Sequence, residues 1–470
     1  PMTASAETTP IFDGDTVEQE WKFDFGAAGT DAEDGYTLVT PDTNYVTNKE
    51  YGFLGIDEDS YKLGNRLDGF GNQKGQVIKL QAGGGTGLND AIGSVGEDSF
   101  GNAGDVYYPT RFALKADDEA YYRVRATVTT LDTTKDAEIS LYTERKHPIF
   151  TDTKVEAGQT KTVEFSVRPT PIYYEKSEPK GTIADGMVNV CVAGKNSAIA
   201  SIEIQKVQEY PVFWVLGDST VTDGNCSLPF FRLQNYTGVG TGLTKYLPRN
   251  YAMVNEGEGG LNAADNYHFN MVKDRIKAGD YLYVEYGHNH KSDGPTGYVS
   301  NLDKYYNACH SVGATLVIVS PIERINTFTD GAYQHTLDGF ATAGAKYVAD
   351  KVTAGATDIA YVDLNSYSLD FYNKITTDNG GDSGAIKFYF QTAKGGGTDQ
   401  THPNDAGAEN LAYEFVKAAK AVTDETQKAA LAPLQTKHQT LFQQKSQVLA
   451  VHLTLHGRNT LFRQITNILL

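Results

Sequence analysis

The hydrophobic periodicity of this chain changes at Pro211, and no other feature constrains the fold as strongly. Before Pro211, apolar and polar residues alternate in short runs, as in Trp-Lys-Phe-Asp-Phe at 21–25. A period of two is typical of strands that bury one face. Gly- and Asp-rich turns separate the runs, and no long helical pattern intervenes. Residues 11–208 are therefore predicted to form an all-β sandwich. Further runs of this kind cover 122–128, 163–167 and 188–192.

After Pro211, the apolar runs have no polar face, as expected for a parallel sheet covered by helices. They alternate with stretches that have helical character, so residues 211–422 are predicted to form an α/β domain. The apolar runs are Val212–Leu216, Tyr281–Tyr286, Thr315–Val319 and Ile359–Leu364. The predicted helices are Leu302–Val312, ending at Gly313, Phe340–Thr353, and Ala406–Val422 with Asn404 or Asp405 as N-cap.

Residues 426–470 differ in composition from both predicted domains. They contain no Asp or Glu but carry five Lys and Arg residues, and their apolar residues fit one or two amphipathic helices. This break indicates an appended C-terminal segment. It could be an oligomerisation element or sequence foreign to the rest of the protein.

Charge and apolar content exclude two classes of partner. The net charge of −18 argues against nucleic acid, because a phosphate backbone requires a basic face. No run of 18 apolar residues occurs, so no membrane partner is expected. The first residues lack the basic and apolar segments of a secretion signal. The three cysteines, Cys191, Cys226 and Cys309, allow one disulfide at most, and three buried thiols are the simplest interpretation.

A candidate nucleophile follows the first apolar run of the α/β domain. Val212–Leu216 leads directly into Gly217-Asp218-Ser219, and α/β sheets place their sites at the carboxyl ends of strands. The glycine is expected to permit a tight turn. The same triplet recurs at 381–383 after the turn cluster Asp-Asn-Gly, with no strand before it. We interpret that second copy as an ordinary loop.

A candidate base lies just before the last predicted helix. A serine nucleophile needs a histidine that an adjacent carboxylate orients. Asp399 and His402 are three residues apart in one loop and could supply both groups. Alone, the pair could equally be a capping Asp and a surface His.

Candidate oxyanion donors follow two other apolar stretches. Asn289, in Tyr-Gly-His-Asn-His at 286–290, could donate from its side chain, and the glycine-rich loop 257–260 could present a backbone N–H. Metal binding by His288 and His290 is the alternative for the first segment, although no Cys, His or Asp cluster supports it. The chain contains neither a phosphate-binding Gly-x-x-x-x-Gly-Lys-Ser/Thr loop nor a Gly-x-Ser-x-Gly elbow.

These four blocks, in this order, resemble those of the SGNH (GDSL-type) hydrolases. Three of them are similar to segments of the rhamnogalacturonan acetylesterases of carbohydrate esterase family twelve: 217–223, 279–289 and 399–407. The resemblance spans about 211–422 and implies a flavodoxin-like α/β fold. One departure is His290, where the family usually has Asp. The strands before Val207 look like the galactose-binding or carbohydrate-binding β-domains that family members often carry.

The resemblance implies a secreted serine esterase that removes acetyl groups from a plant cell-wall polysaccharide. Ser219 would be the nucleophile, His402 the base and Asp399 its orienting partner. The Ser219 N–H, the Gly260 N–H and the Asn289 side chain would form the oxyanion hole, with Gly257 and Gly259 as neighbours of Gly260. No cofactor is required, although such β-domains often hold a structural calcium.

Three further expectations follow from this resemblance. The substrate could instead be acetylxylan or a broad range of esters, or the protein could bind carbohydrate without catalysis. A basic cleft would reconcile the negative charge with a polyuronate, and Arg232, Arg249 and Arg324 are the candidates for it. Because all four blocks lie beyond Gln208, the β-domain is expected to be dispensable for small esters.

Overall fold

A computed structural model describes most of the 470-residue chain. The described residues are 9–60, 77–84, 90–95, 106–107, 109–144, 146–174, 181–183, 185–224, 230–231, 236–392 and 398–435. Cys226, Arg232 and positions 436–470 of the predicted C-terminal segment lie outside them.

The residues before Pro211 form mainly strands, and the short helix α1 covers Tyr45–Asn48. The first strands are β1 (Val17–Phe25), β2 (Thr37–Val39), β3 (Tyr51–Leu54), β4 (Leu80–Gly84), β5 (Asp90–Ser94), β6 (Val106–Tyr107), β7 (Thr110–Lys115) and β8 (Tyr121–Thr130). They are followed by β9 (Ala137–Thr143), β10 (His147–Val155), β11 (Thr160–Val167), β12 (Ile172–Tyr174), β13 (Gly181–Ile183), β14 (Met187–Ala193) and β15 (Ser197–Val207).

Two main sheets are built from these strands, and they share one core. One has the order β11-β8-β15-β1-β2, with β5 and β4 attached through β15, and the other has the order β10-β9-β14-β7-β3. Alternate residues of both sheets meet in a single apolar cluster, for example Phe23 from β1 and Phe112 from β7, whose rings lie 4.9 Å apart. Because only alternate residues enter this cluster, the pattern of period two is visible in the sequence.

The residues after Pro211 form a parallel sheet with the order β18-β16-β19-β20-β23. Its strands are β16 (Val212–Gly217), β18 (Ala252–Asn255), β19 (Tyr281–Glu285), β20 (Thr315–Val319) and β23 (Ile359–Val362). Short strands outside this sheet are β17 (Phe230–Phe231), β21 (Phe328–Thr329), β22 (Ala332–Tyr333), β24 (Phe390–Thr392) and β25 (Thr398–Pro403).

Helices cover both faces of the parallel sheet. They are α2 (Val239–Leu243), α3 (Tyr267–Lys273), α4 (Gly294–Ser300), α5 (Leu302–Val312), α6 (Asp338–Thr353), α7 (Leu364–Asp378), α8 (Asp405–Lys420) and α9 (Glu425–Leu431). Two 3₁₀ helices cover Ser383–Tyr389 and Ala432–Gln435. Phe213 of β16 packs in the cluster that holds α7 and α8, whereas Trp214 packs with α3, α5 and α6. Successive residues of a strand thus enter opposite cores, which explains the apolar runs without a polar face. No helix of the described residues is long and apolar enough to span a membrane.

Several sequence-based boundaries need correction. Strand Ala252–Asn255 and helix Leu364–Asp378 were not predicted, because the first is short and the second directly follows an apolar strand. The predicted C-terminal segment begins too early: the Tyr281 hydroxyl donates to the Ala430 carbonyl, and Leu431 is buried in the core. Cys191 and Cys309 are free thiols, but only Cys309 is buried, so the expectation of three buried thiols is wrong for Cys191.

Candidate active site

The carboxyl ends of three neighbouring strands bring the candidate blocks together. Strand β16 lies between β18 and β19 in the parallel sheet. The loop after β16 carries Ser219, the loop after β18 carries Gly260, and the loop after β19 carries Asn289. Since parallel strands end at the same edge of a sheet, the three loops share that edge. This topology supplies the arrangement that the order of the blocks suggested.

Ser219, His402 and Asp399 form a continuous hydrogen-bonded chain. The Ser219 Oγ lies 2.8 Å from His402 Nε2, and His402 Nδ1 lies 2.8 Å from Asp399 Oδ2. Because the Asp399 carboxylate accepts at Nδ1, the neutral ring carries its proton there and leaves Nε2 to accept from the serine. This is the geometry that general-base activation of a serine requires.

Asp399 is held in place by the turn that contains it. Its Oδ1 accepts the backbone N–H groups of Thr401 (2.7 Å) and His402 (2.8 Å), while Oδ2 bonds the imidazole. Partial burial would raise the pKa of Asp399, but the hydrogen bonds from the His402 side chain and the two backbone N–H groups outweigh it and lower the pKa below its usual value. The carboxylate therefore stays ionised and can stabilise an imidazolium.

Ser219, the candidate nucleophile, lies on a tight turn that glycine at position 217 makes possible. A Cβ atom at Gly217 would lie 2.5 Å from the Val221 side chain and 2.8 Å from the Glu285 carbonyl oxygen. Position 217 thus requires glycine because the neighbouring atoms leave no room for a side chain. Asp218 is buried, and its Oδ1 accepts from the backbone N–H and hydroxyl of Thr220 at 2.8 and 2.9 Å. These contacts fix the backbone that presents Ser219.

The two other candidate oxyanion donors are linked to each other. The Asn289 Nδ2 donates to the Leu261 carbonyl at 2.8 Å, which ties it to the residue after Gly260. Gly260 has a φ of +78°, a conformation that favours glycine. Gly257, one of the glycines that could have served instead, donates its N–H to the Asn255 side chain at 2.9 Å. Nδ2 carries two hydrogens, so one remains to face an oxyanion.

The histidines on either side of Asn289 have structural partners. His290 Nε2 accepts the Ala263 N–H at 3.0 Å, and Nδ1 lies 3.0 Å from Asp293 Oδ1. His288 is buried, its Nδ1 lies 3.4 Å from Arg324 Nε, and burial lowers its pKa. In the described parts of the chain, no three His, Cys, Asp or Glu side chains could hold a metal ion together. Those residues therefore give no support to the metal alternative for this loop. A structural calcium ion in the β-domain stays a prediction, because backbone and amide oxygens also bind calcium.

Sequence reasoning missed Tyr236. Its hydroxyl donates to the Ser219 carbonyl, and its ring packs edge-to-face on the His402 ring with centroids 5.0 Å apart. Burial raises its pKa well above the usual value, so the hydroxyl keeps its proton. Nothing in the sequence around Tyr236 distinguishes it from the other 28 tyrosines of the chain, so no signal could have found it.

A cleft of about 670 Å³ adjoins the Asn289 loop. Its walls include Lys291 and Arg324 together with the apolar side chains of Phe328, Leu337 and Phe340. Within the described residues, neither Lys291 nor Arg324 forms an ion pair with a carboxylate, although the chain has 59 Asp and Glu against 41 Lys and Arg. The cleft therefore offers two cationic groups to a ligand.

Of the three arginines proposed for a basic cleft, the structure places one there. Arg324 lines the cleft, and its Nε lies 3.4 Å from His288 Nδ1. Arg249 instead donates to the Ile149 carbonyl at 2.6 Å and belongs to the contact between the two regions. Arg232 lies outside the described residues.

Comparisons with known proteins return structures of low similarity. Protein YxiM from Bacillus subtilis is 19% identical, with 86% of this chain and 98% of that chain covered and a TM-score of 0.39. A family two carbohydrate esterase from Cellvibrio japonicus is 13% identical (76% and 95% covered, TM-score 0.28). A variant of the acetyl xylan esterase Axe2 from Geobacillus stearothermophilus is 14% identical (44% and 94% covered, TM-score 0.31). No family model and no curated protein matches the chain. These structures are too dissimilar to this chain to indicate its function.

Proposed function

We propose that this protein is a serine esterase of the SGNH type that removes O-acetyl groups from an acidic plant cell-wall polysaccharide, rhamnogalacturonan. One observation carries the esterase proposal: Ser219, His402 and Asp399 form an unbroken hydrogen-bonded chain at the carboxyl edge of a parallel sheet. A carbohydrate-binding protein without catalysis has no need of such a chain.

The proposed reaction proceeds through an acyl-enzyme. His402 Nε2 takes the proton of Ser219 as Oγ attacks the acetyl carbonyl, and the negative charge moves to the carbonyl oxygen. The Ser219 N–H, the Gly260 N–H and Asn289 Nδ2 would stabilise that oxyanion. Collapse breaks the bond to the sugar oxygen, which receives the proton from His402.

Deacylation repeats the same steps with water as the nucleophile. His402 takes a proton from the water as its oxygen attacks the acetyl group, and the serine leaves with that proton. The products are acetate and the free sugar hydroxyl. Asp399 stabilises the imidazolium in both halves, so the chemistry needs no cofactor.

The cleft supports an anionic polymer as substrate. Lys291 and Arg324 lie in its wall without a carboxylate partner among the described residues, and they could bind the uronate carboxylates of a pectic chain. This local charge offsets the repulsion expected from a protein with a net charge of −18. Because such a polymer cannot enter a cell, we also propose that the protein acts outside it.

A second candidate is an esterase for acetylxylan or for a broad range of neutral esters. The apolar part of the cleft wall, formed by Phe328, Leu337 and Phe340, favours it, because such side chains accept uncharged groups without a partner.

Acetate release from a panel of acetylated polysaccharides tests both candidates. We expect faster release from rhamnogalacturonan than from xylan, and a Lys291→Ala variant that raises KM for rhamnogalacturonan alone. Lys346→Ala, which removes an exposed lysine elsewhere on the surface, is the matched control. Faster release from xylan would exclude the pectic substrate, and no release from any ester would exclude the esterase.

A further inference from the structure

Two neighbouring side chains of the region before Pro211 pack into the region after Pro211, beside the candidate active site. Strand β10 begins at His147, and Lys146 directly precedes it; the two residues are only 5% and 2% exposed. A lysine is almost never buried to this degree unless it is paired. Both have carboxylate partners, and both partners belong to the region after Pro211.

Lys146 reaches the side of the site that holds the nucleophile and the base. Its Nζ lies 2.9 Å from Asp405 Oδ1, three residues after His402, and donates to the Tyr236 carbonyl at 3.1 Å. Tyr236 in turn donates to the Ser219 carbonyl and packs on the His402 ring. The Lys146 ammonium group therefore holds Tyr236, which contacts both Ser219 and His402.

His147 reaches the side that holds the oxyanion loop. Its Nε2 lies 2.9 Å from Asp223 Oδ1, the same oxygen that accepts from Asn255 Nδ2 at 2.9 Å. The other end of the Asn255 amide accepts the N–H of Gly257, at the start of the loop that carries Gly260. Asp223 itself lies four residues after Ser219. Three hydrogen bonds thus connect His147 to the oxyanion loop.

A third contact from the same strand holds helix α8, which begins three residues after His402. Thr151 donates to Glu409 Oε2 at 2.7 Å, and Lys245 Nζ binds both groups, at 2.8 Å from Glu409 and 2.7 Å from Thr151. Glu409 lies on α8, whose first residue is Asp405. All three contacts are buried, so in the folded full-length protein solvent does not readily replace a partner that a substitution removes.

We propose that the N-terminal two-sheet region is a positioning part of the active site, in which Lys146 and His147 align the triad and the oxyanion loop. The proposal rests on the esterase function proposed above. It revises the expectation that the β-domain is dispensable for small esters, because a chain beginning at Gln208 would leave Asp405, Asp223 and Glu409 without these partners.

Kinetics of full-length variants on a small aryl acetate test the proposal. Such a substrate is too small to use a polysaccharide-binding surface, so a role in glycan binding would leave its hydrolysis unchanged. We expect Lys146→Met and His147→Leu to lower kcat on the order of 10- to 100-fold, since a misplacement of about 1 Å has effects of this size, with KM unchanged. His147→Gln should recover most of the activity, because its amide can still donate to Asp223.

Lys154→Met is the matched control. Lys154 lies on the same strand, but its ion pair with Asp136 is exposed and both residues belong to the region before Pro211, so kcat should not change. Circular dichroism and melting temperatures are measured for every variant, and kinetics are recorded well below each melting temperature. If Lys146→Met does not fold, the comparison of His147→Leu with His147→Gln decides. Unchanged kcat in folded Lys146→Met or His147→Leu, with or without a lower melting temperature, would overturn the proposal. Equal losses in His147→Leu and His147→Gln would also overturn it.

The rate at which a fluorophosphonate labels Ser219 separates this proposal from the esterase proposal. Labelling reports the alignment of nucleophile, base and oxyanion loop without turnover of an ester. A wild-type protein that is labelled but hydrolyses no ester would contradict the proposed function alone. Slower labelling of Lys146→Met than of Lys154→Met would still support the positioning role, and equal rates would contradict it.

Discussion

Two segments of this chain contain the triplet Gly-Asp-Ser, and the structure gives them different roles. In the first, at 217–219, the triplet ends a buried parallel strand, and Ser219 contacts His402. In the second, at 381–383, Gly381 has a φ of +89° and the Asp382 side chain caps the 3₁₀ helix that begins at Ser383. The comparison shows that two identical triplets have different surroundings, and that the triplet after a parallel strand is the one whose serine contacts a histidine.

The aspartates of the two triplets show the same contrast. Asp218 is buried and accepts from Thr220 within a turn enclosed by neighbouring strands. Asp382 accepts the Gly384 N–H at 2.8 Å near the surface, as N-cap residues commonly do. Asp218 therefore stabilises the turn that carries Ser219, whereas Asp382 stabilises only a helix terminus.

The serines provide the largest expected difference. Ser219→Ala should lower kcat by at least about 10⁴-fold, because the acyl-enzyme can no longer form. Ser383→Ala should leave kcat unchanged, since the contact that its backbone makes, from Tyr333 to the Ser383 carbonyl, survives the substitution. Steady-state hydrolysis of an aryl acetate measures both. An inactive Ser383→Ala with an active Ser219→Ala would reverse the comparison.

In the proposed mechanism, the carboxylate of Asp399 makes the first serine reactive. Asp399→Asn should lower kcat on the order of 10³- to 10⁴-fold, because an amide no longer stabilises the imidazolium or selects the reactive form of the ring. The fold should persist, since the side-chain oxygen can still accept the Thr401 and His402 N–H groups. A pH profile of kcat/KM together with circular dichroism is the measurement. Retention of more than a tenth of the activity would remove Asp399 from the mechanism.

Asn289 distinguishes an oxyanion site from a metal site. Asn289→Ala should lower kcat about 100- to 1000-fold with little change in KM, because the donor acts mainly in the transition state. His290→Ala should affect stability more than kcat, since His290 accepts from Ala263 and packs near Phe340. Loss of activity in His290→Ala, restored by added zinc, with a fully active Asn289→Ala, would favour the metal.

Glu285 is buried next to the first triplet and has no counterpart described at the second. Its burial predicts that the stability of the protein depends on pH. Burial raises its pKa to about 8, so the folded protein keeps a proton that the unfolded chain loses near the usual value. Between these pH values the folded state binds more protons, so the free energy of unfolding falls as pH rises toward 8. Glu285→Gln should flatten this decline in thermal melts from pH 5 to 8. An identical decline in both proteins would show that another group causes it.

The smallest expected effect belongs to the second triplet. Asp382→Ala removes a helix cap, which typically costs about 0.5–2 kcal/mol in the free energy of unfolding, and should not change kcat. Chemical denaturation measures the first quantity and ester hydrolysis the second. A large fall in kcat would mean that this loop belongs to the site after all.

Local patterns in the sequence determined which elements form and which residues are candidates for the chemistry. Helix Leu302–Val312 ends at Gly313 as predicted, because that glycine adopts the left-handed conformation that terminates the helix. Strand Thr315–Val319 has its predicted bounds, because its residues are apolar on both faces. The motifs around Ser219, His402 and Asn289 also pointed to the residues that the structure brings to one edge of the sheet, since each follows a recognisable strand or precedes a helix.

Only the tertiary structure decided how the two regions meet and which side chains surround the triad. Arg123 has the strand position of an outward-facing residue, yet it is buried and donates to the Asn250 carbonyl at 2.9 Å. Tyr236, Lys146 and His147 likewise owe their places to contacts between distant parts of the chain. Periodicity records which face of an element is buried against its own core. It carries no information about a second surface that packs on the outer face, so these contacts could not be read from the sequence.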